Sequence, residues 1–101
     1  MNRTVEYEVI VTVRADLVAA WEEYLPGHVA DVLATGCFLS AAIDRAAPRR
    51  YRCRYTAESQ AALERYLEEH TAILRADVLR RFPDGLETTR AVWGAWMHLT
   101  P

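Results

Sequence analysis

The chain has 101 residues, of which 51% are hydrophobic and 26% are charged. This balance is typical of a soluble globular protein and excludes disordered and collagen-like chains. The formal net charge of −2 gives no overall attraction to nucleic acid or to acidic membranes. The length fits one domain, so we expect a single domain over residues 1–101.

The start of the chain has the pattern of a strand rather than of a targeting segment. Met1-Asn2-Arg3-Thr4 leads directly into residues 4–13, whose alternation of side-chain types predicts a half-buried strand. Since no secretory signal is recognisable, we expect a cytoplasmic, reducing location in which Cys37 and Cys53 are free thiols. No apolar stretch reaches the length needed to cross a bilayer, so we expect no membrane partner.

Residues 16–34 change to helical spacing, with apolar residues three and four positions apart. This spacing predicts an amphipathic helix that ends before Gly36. Pro26 and Gly27 interrupt the pattern. Because proline removes a helical hydrogen bond and clashes with the preceding turn, we expect a kink or a break near Leu25.

The second half of the chain predicts two strands, a long helix and a last strand. The strands span residues 37–45 and 49–57, the helix spans 60–81, and the last strand spans 87–99. The resulting order is β-α-β-β-α-β. With right-handed crossovers this order predicts an α+β, ferredoxin-like fold, in which a four-stranded antiparallel sheet of order 4-1-3-2 carries two helices on one face.

The other face of such a sheet is left open by the helices. In the last strand we expect Trp93 beneath the helices and Trp96 on the open face. The open face is too apolar for an ordinary wet surface and too charged for a dry core, which favours association of two sheets face to face over a solvated face with scattered hydrophobic residues. The residues expected at this homodimer interface are Glu6, Glu8, Ile10, Phe38, Arg50, Arg52, Arg54, Arg90, Val92 and Trp96.

Several segments together resemble the DUF4286 family, short bacterial proteins of unknown function. The resemblance covers nearly the whole chain and is most specific at His28 and at the run Ala34-Thr35-Gly36-Cys37-Phe38. The other segments that carry it are Trp21-Glu22-Glu23-Tyr24, Tyr55–Ser59, Leu63–Leu67 and Arg81-Phe82-Pro83. It implies a fold like that of the dimeric α/β barrels and brings no established activity and no assigned catalytic residues. The chain departs from the family pattern at Pro26-Gly27 and Val29-Ala30.

Two histidines fall on the apolar sides of the two predicted helices. Either can be a half-buried structural residue or a group that faces a small-molecule pocket between helices and sheet. Dimeric α/β barrels include monooxygenases that act without a metal, and an enzyme of that kind or an isomerase is the alternative to a homodimeric module without activity. The residues expected to line such a pocket are Trp21, Tyr24, His28, Tyr55, Tyr66 and His70, with His28 as the best catalytic candidate.

Other chemistries are less favoured by the sequence. RNA-recognition modules share this element order, but Glu6 and Glu8 on a central strand would repel phosphates, so we expect no nucleic-acid partner. The histidines and cysteines show no metal-binding spacing, and we expect neither a metal nor a cofactor. Cys37 follows the end of a helix, where the dipole disfavours a thiolate nucleophile. A third alternative is an anion held by Arg50, Arg52, Arg54 or Arg90.

Overall fold

A computed structural model describes residues 3–101 of the chain. Its elements are β1 (Val5–Val13), a 3-10 turn (Ala15–Leu17), α1 (Val18–Ala34), β2 (Ser40–Ala46), β3 (Arg50–Ala57), α2 (Gln60–Glu69), α3 (Thr71–Arg81) and β4 (Leu86–Gly94). The expected domain over residues 1–101 includes Met1 and Asn2, which lie outside the described residues.

The four strands form one antiparallel sheet in the order β2-β3-β1-β4. This is the expected order 4-1-3-2 counted from the opposite edge, so the predicted α+β sheet topology is confirmed. In the central pair, Tyr7 lies opposite Tyr55 and Val9 lies opposite Cys53. Since directly paired residues share a face, these side chains form the floor beneath the helices.

An aromatic cluster fills the space between α2 and the centre of the sheet. The ring of Phe38 lies 4.8 Å from that of Tyr66 and 5.1 Å from that of Tyr55, and Tyr7 stacks on it at 6.4 Å. Leu63 of α2 is completely buried beside this cluster. Aromatic packing at these distances adds to the hydrophobic stabilisation of the core, and it fixes α2 firmly on the sheet.

Pro26 does not interrupt α1, which is one helix from Val18 to Ala34. The expected break is therefore wrong. Trp21, Leu25 and Val29 are all buried along one side of the helix, on both sides of the proline. Burial of each such side chain contributes about 1.5–3 kcal/mol, and together these outweigh the roughly 3 kcal/mol that proline costs inside a helix.

The long helix expected over residues 60–81 is two helices in the structure. His70, with φ −124°, ends α2, and α3 starts at the next residue, Thr71. Histidine and threonine are both weaker helix formers than the leucine, glutamate and arginine around them, so the chain can leave the helical conformation here at low cost. The break gives α3 its own direction over the sheet.

The last strand has the opposite facing from the expected one. Arg90 lies opposite Val9 and Val92 lies opposite Tyr7, so both belong to the helix-covered face, whereas Trp93 lies opposite Glu6 on the open face. Both sets of alternate residues in this strand contain apolar side chains, so the sequence pattern does not show which set faces the helices. The turn decides, because the hydrogen bond from Arg14 N to Gly85 O fixes the register of β4 from its first residue.

Phe38 and Trp96 also differ from expectation. Phe38 precedes β2, in a loop that Gly36 turns beneath α2 with a φ of +78°, and it is buried in the aromatic cluster rather than on the open face. Trp96 lies beyond Gly94, where β4 ends, and is 90% exposed in a tail without regular secondary structure. Of the expected interface residues, Phe38, Arg90, Val92 and Trp96 are therefore not on the open face of the sheet.

Two glycines provide a test of this backbone. Gly27 lies inside α1 with open space around it, whereas Gly85 has a φ of +85° and a Cβ there would lie 2.5 Å from Leu17 Cδ1. Gly27→Ala should raise the free energy of unfolding by about 0.5–1 kcal/mol, because alanine favours the helix. Gly85→Ala should lower it by at least about 1 kcal/mol, because the backbone there disfavours a side chain. Denaturant unfolding of both variants measures this, and a stabilised Gly85→Ala would contradict the turn geometry.

Candidate functional site

A cavity of about 410 Å³ lies between α1, α3 and the β1–β4 half of the sheet. Its floor includes Tyr7, Val9 and Val11 of β1, and its wall on the α1 side includes Trp21 and His28. No residue of α3 is fully buried, in contrast to α2, which buries Leu63 and Tyr66. The cavity therefore exists because α3, after the break at His70, does not pack down on the small side chains of the floor.

Trp21 lines the cavity with part of its ring. The ring is packed against Tyr24 at 5.9 Å and Phe82 at 5.3 Å, and it is 2% exposed. Within residues 3–101 the buried Nε1 atom has no acceptor, which costs about 1–3 kcal/mol. Since this atom is enclosed by its packing, Trp21 offers the cavity apolar ring surface rather than a hydrogen bond.

His28 lies on the wall of the cavity, and its neighbours fix the position of its proton. Tyr24 Oη donates its only proton to Asp77 Oδ2 at 2.6 Å, and His28 Nδ1 lies 3.3 Å from the same Oη. Since Oη has no second proton to give, it accepts from a protonated Nδ1. The neutral imidazole then carries its free lone pair on Nε2.

Burial and charge define the protonation states of Tyr24, His28 and Asp77, the trio linked by these contacts. Burial lowers the pKa of His28 below its ordinary value, with Asp77 and Asp31 acting in the opposite direction. The hydrogen bonds from Tyr24 and from Arg80 lower the pKa of Asp77, which is thus a carboxylate, and burial raises the pKa of Tyr24. At neutral pH the arrangement is a neutral histidine backed by a tyrosine and a carboxylate, which suits a proton acceptor.

A second, shallower depression of about 560 Å³ lies on the outer side of the same trio, between α1 and α3. Tyr24 lines this groove, together with Asp31, Asp77 and Arg81. The guanidinium of Arg81 lies 5.3 Å from the centre of the Tyr24 ring, which holds the ring in place by a cation–π contact. His28 lines both spaces and therefore separates the groove from the cavity.

Two arginines lie at the other end of the cavity. Arg75 of α3 donates from Nη2 to Tyr7 Oη at 3.2 Å, and Arg90 of β4 lines the cavity from the sheet. Both residues are exposed, as are Leu79, Pro83, Asp84 and Thr88 of the lining, so the arginines form one part of the cavity mouth rather than its interior. Together they give one end of an otherwise largely aromatic and aliphatic space a positive charge.

The residues expected to line a pocket are only partly brought together. Trp21, His28, Tyr55 and Tyr66 line the cavity, whereas Tyr24 lines only the outer groove. His70 lines neither space, because the helix breaks there and its ring instead stacks on Tyr66 at 6.3 Å. Whether any of these residues binds a ligand stays a prediction.

Sequence reasoning missed three polar groups of the site. Arg75 and Asp77 lie beside the apolar side of the predicted second helix. Charged residues at such positions are usually interpreted as exposed to solvent, so the pattern did not indicate a role for them. Arg90 was expected on the wrong face. The alternation of β1 did place Tyr7 beneath the helices, and that position was the available signal for its hydroxyl.

The arginines of β3 lie on the open face of the sheet, away from the cavity. Asp44 accepts hydrogen bonds from Arg52 at 3.1 Å and from Arg54 at 3.0 Å, and these neighbours lower its pKa. Arg54 also lies 3.9 Å from Glu6. An anion site made of all four expected arginines is therefore excluded, since Arg90 lies on the other face and Arg52 and Arg54 already share a carboxylate.

The two thiols are buried and free. Cys53 lies on the floor of the cavity, where burial raises its pKa to about 11 and keeps it protonated at neutral pH. Cys37 is 3% exposed, with Sγ 3.9 Å from Thr35 O. Cys53 therefore lacks the surroundings of a reactive thiolate, whereas the guanidinium of Arg65 interacts with Cys37.

Two further observations concern the described part of the chain. Among residues 3–101 no three histidine, cysteine, aspartate or glutamate side chains come together as a metal site requires. No helix within the same residues is long and apolar enough to span a bilayer.

Comparison with known families decides which family the chain belongs to. Residues 4–98 match the family described as "Domain of unknown function (DUF4286)". The chain is a member of this family. A comparison with curated proteins gives no match.

Solved structures share the fold at low sequence identity. SnoaB, a cofactor-independent oxygenase from Streptomyces nogalater, is 18% identical, with 98% of this chain and 99% of that one covered at a TM-score of 0.74. MupZ from Pseudomonas fluorescens is 15% identical, with 93% and 70% covered at 0.72. Rv0793 from Mycobacterium tuberculosis is 17% identical, with 96% and 99% covered at 0.67. At these identities the likeness shows the ferredoxin-like fold alone.

Proposed function

We propose that this protein binds a small, largely aromatic molecule in the cavity between its helices and its sheet. The observation that carries the proposal is the cavity itself, whose volume of about 410 Å³ is within the range of natural ligand sites. Tyrosines and Trp21 supply flat apolar surface, and a few polar groups converge on the same space. This combination is typical of sites for small organic molecules.

Filling the cavity tests the proposal. Leu74→Trp on α3 puts a large side chain at the cavity lining, and its neighbour Ile73, which is 75% exposed, offers the matched control Ile73→Trp. With 2-naphthol as the probe, the parent and Ile73→Trp should show saturable binding and a raised melting temperature. Leu74→Trp should lose both, because the ring occupies the space. Equal binding by the two tryptophan variants would place the ligand elsewhere.

A second candidate function is proton transfer by His28, favoured by the free lone pair that Tyr24 and Asp77 leave on its Nε2. In this step Nε2 takes a proton from an acidic C–H group of a bound ketone, and the electron pair of that bond forms an enolate. Where the ketone carries a β,γ double bond, return of the proton to the γ-carbon gives the conjugated isomer. SnoaB, which shares the fold, is a cofactor-independent oxygenase.

Hydrogen exchange into an enolisable probe tests this candidate. In D₂O the protein should accelerate loss of the C1 protons of 2-tetralone, as followed by NMR, and His28→Gln should remove the acceleration. The rate should fall as the pH drops through the pKa of His28, because only the neutral imidazole accepts a proton. Since burial lowers that pKa, the activity should persist below the usual histidine range. His98→Gln, in the exposed tail, is the control, and loss of exchange in it would contradict the assignment.

The open face of the sheet supports a homodimer of the dimeric α/β-barrel type as a further part of the proposal. Trp93 is 56% exposed there, and the adjoining tail exposes Trp96, Met97 and Leu99. The charges on this face nearly balance, so two copies can approach without strong repulsion. These charged residues are Glu6, Glu8, Asp44, Glu87, Arg50, Arg52 and Arg54.

Sedimentation equilibrium tests the homodimer. The parent should be a dimer at micromolar concentration, and Trp93→Ala should raise the dimer dissociation constant about thirtyfold, since a buried aromatic anchor is commonly worth about 2 kcal/mol. Ile73→Ala, which removes a still more exposed side chain from α3, should leave the constant unchanged. A monomeric parent at high micromolar concentration would contradict the proposed interface.

A further inference from the structure

We infer that the molecule bound in the cavity is an aromatic carboxylate, whose negative group lies at the mouth between Arg75 and Arg90. This inference rests on the proposed ligand-binding function and names the class of ligand. It depends on the two guanidiniums at one end of the cavity, on the hydroxyl of Tyr7 beside them, and on the imidazole of His28 at the opposite end.

Arg75 and Arg90 come from different elements and meet at the same place. Both line the cavity, and Arg75 reaches across to Tyr7 Oη, which belongs to the strand adjacent to that of Arg90. The charges of both guanidiniums also act on the hydroxyl of Tyr66, where they oppose the effect of burial on its pKa. The two positive charges therefore lie around the same pair of tyrosines.

Neither arginine has a carboxylate partner among residues 3–101. Ion pairs are formed by Arg14, Arg45, Arg52, Arg54 and Arg80, none of which lines the cavity. The acidic residue of the cavity lining, Asp84, lies 3.1 Å from Arg14. Two like charges held near each other without a counterion favour the binding of an anion between them. Guanidinium groups bind carboxylates in a planar, two-bonded geometry that suits this position.

The hydroxyl of Tyr7 adds a third contact for the same anion. It accepts a hydrogen bond from Arg75 and donates none to a described residue, so its proton is free. A carboxylate oxygen at the mouth can accept that proton while it contacts the guanidinium. Because the arginines are partly hydrated, the carboxylate keeps some contact with water and does not need complete desolvation.

The opposite end of the cavity determines the rest of the molecule. Trp21 packs on Tyr51, and Tyr51 lies opposite Val11 of β1. Val11 is four residues along β1 from Tyr7, a distance of about 14 Å in a strand. Inward-pointing side chains shorten this span. A molecule with two fused rings reaches along most of it, and a hydroxyl group at its far end can donate to Nε2 of His28, which lines the same cavity. The inferred ligand class is therefore a hydroxylated bicyclic aromatic carboxylate.

The probe 6-hydroxy-2-naphthoate carries both groups at opposite ends of two rings, and its methyl ester lacks only the charge. Calorimetry on the full chain should show the acid binding about tenfold more tightly than the ester, with an advantage that shrinks as NaCl is raised. Arg75→Gln and Arg90→Gln should each raise the Kd of the acid about tenfold and leave that of the ester unchanged. Arg52→Gln, on the open face, is the matched control and should change neither.

The outcomes separate this inference from the function on which it rests. If acid and ester bind equally, or if Arg75→Gln and Arg90→Gln both behave like Arg52→Gln, the cavity binds aromatic molecules but the anion site is wrong. If neither compound binds to the parent, the proposed ligand-binding function fails and the inference fails with it. Melting curves of the two glutamine variants show whether they are folded, and retained ester binding shows that their cavities are intact.

Discussion

The aromatic packing of Phe38 with Tyr7, Tyr55 and Tyr66 is the interaction on which the rest of the structure depends. It fixes α2 over the centre of the sheet and occupies the half of the covered face nearest β3. Over the other half the floor consists of valines and of β4, and α3 buries none of its residues there. One half of the helix–sheet interface is thus a tightly packed core, and the other half encloses the cavity. The same layer provides both stability and space.

The polar groups of the cavity are distributed so that its two ends differ in chemistry. One end carries two arginines, and the other holds the half-buried, neutral imidazole of His28. Tyr24 and Asp77 come from different helices, and their hydrogen bond couples the position of α3 to the orientation of His28. A shift of α3 would therefore change both the width of the cavity and the basicity of the imidazole, because the supporting carboxylate moves with the helix.

The strand order and the first helix could be predicted because their patterns have one interpretation. The alternation of β1 contains valines and a tyrosine in one phase and mostly polar residues in the other, so its facing is unambiguous. The last strand has no such contrast, since Trp93 and Val92 favour opposite faces, and the turn at Gly85 decided the matter through a contact with Arg14 that no local pattern contains. The break at His70 was equally hidden, because the apolar spacing continues through it from Leu67 to Leu74.

The candidate site was predictable in its apolar part and at His28. Trp21, Tyr55 and Tyr66 belong to faces that hydrophobic periodicity identifies, and all three line the cavity. Arg75, Asp77 and Arg90 occupy positions where a charged side chain usually points to water. Their meeting with Tyr7 and Tyr24 depends on the direction that α3 takes after its break. That direction is a property of tertiary packing, which periodicity does not contain.

The break at His70 also separates two parts of the molecule that differ in cooperativity. The amides of α2 are protected by Leu63 and Tyr66, whose release would expose the core, whereas those of α3 have no fully buried side chain above them. Leu74 and Val78 of α3 are only partly buried against the core, so local opening of α3 should require less free energy than global unfolding. Such opening gives a bulky molecule a route to the interior that leaves the sheet intact. Occupancy would then slow the fluctuations of α3 in particular, because the bound rings add to the apolar contact of these two residues.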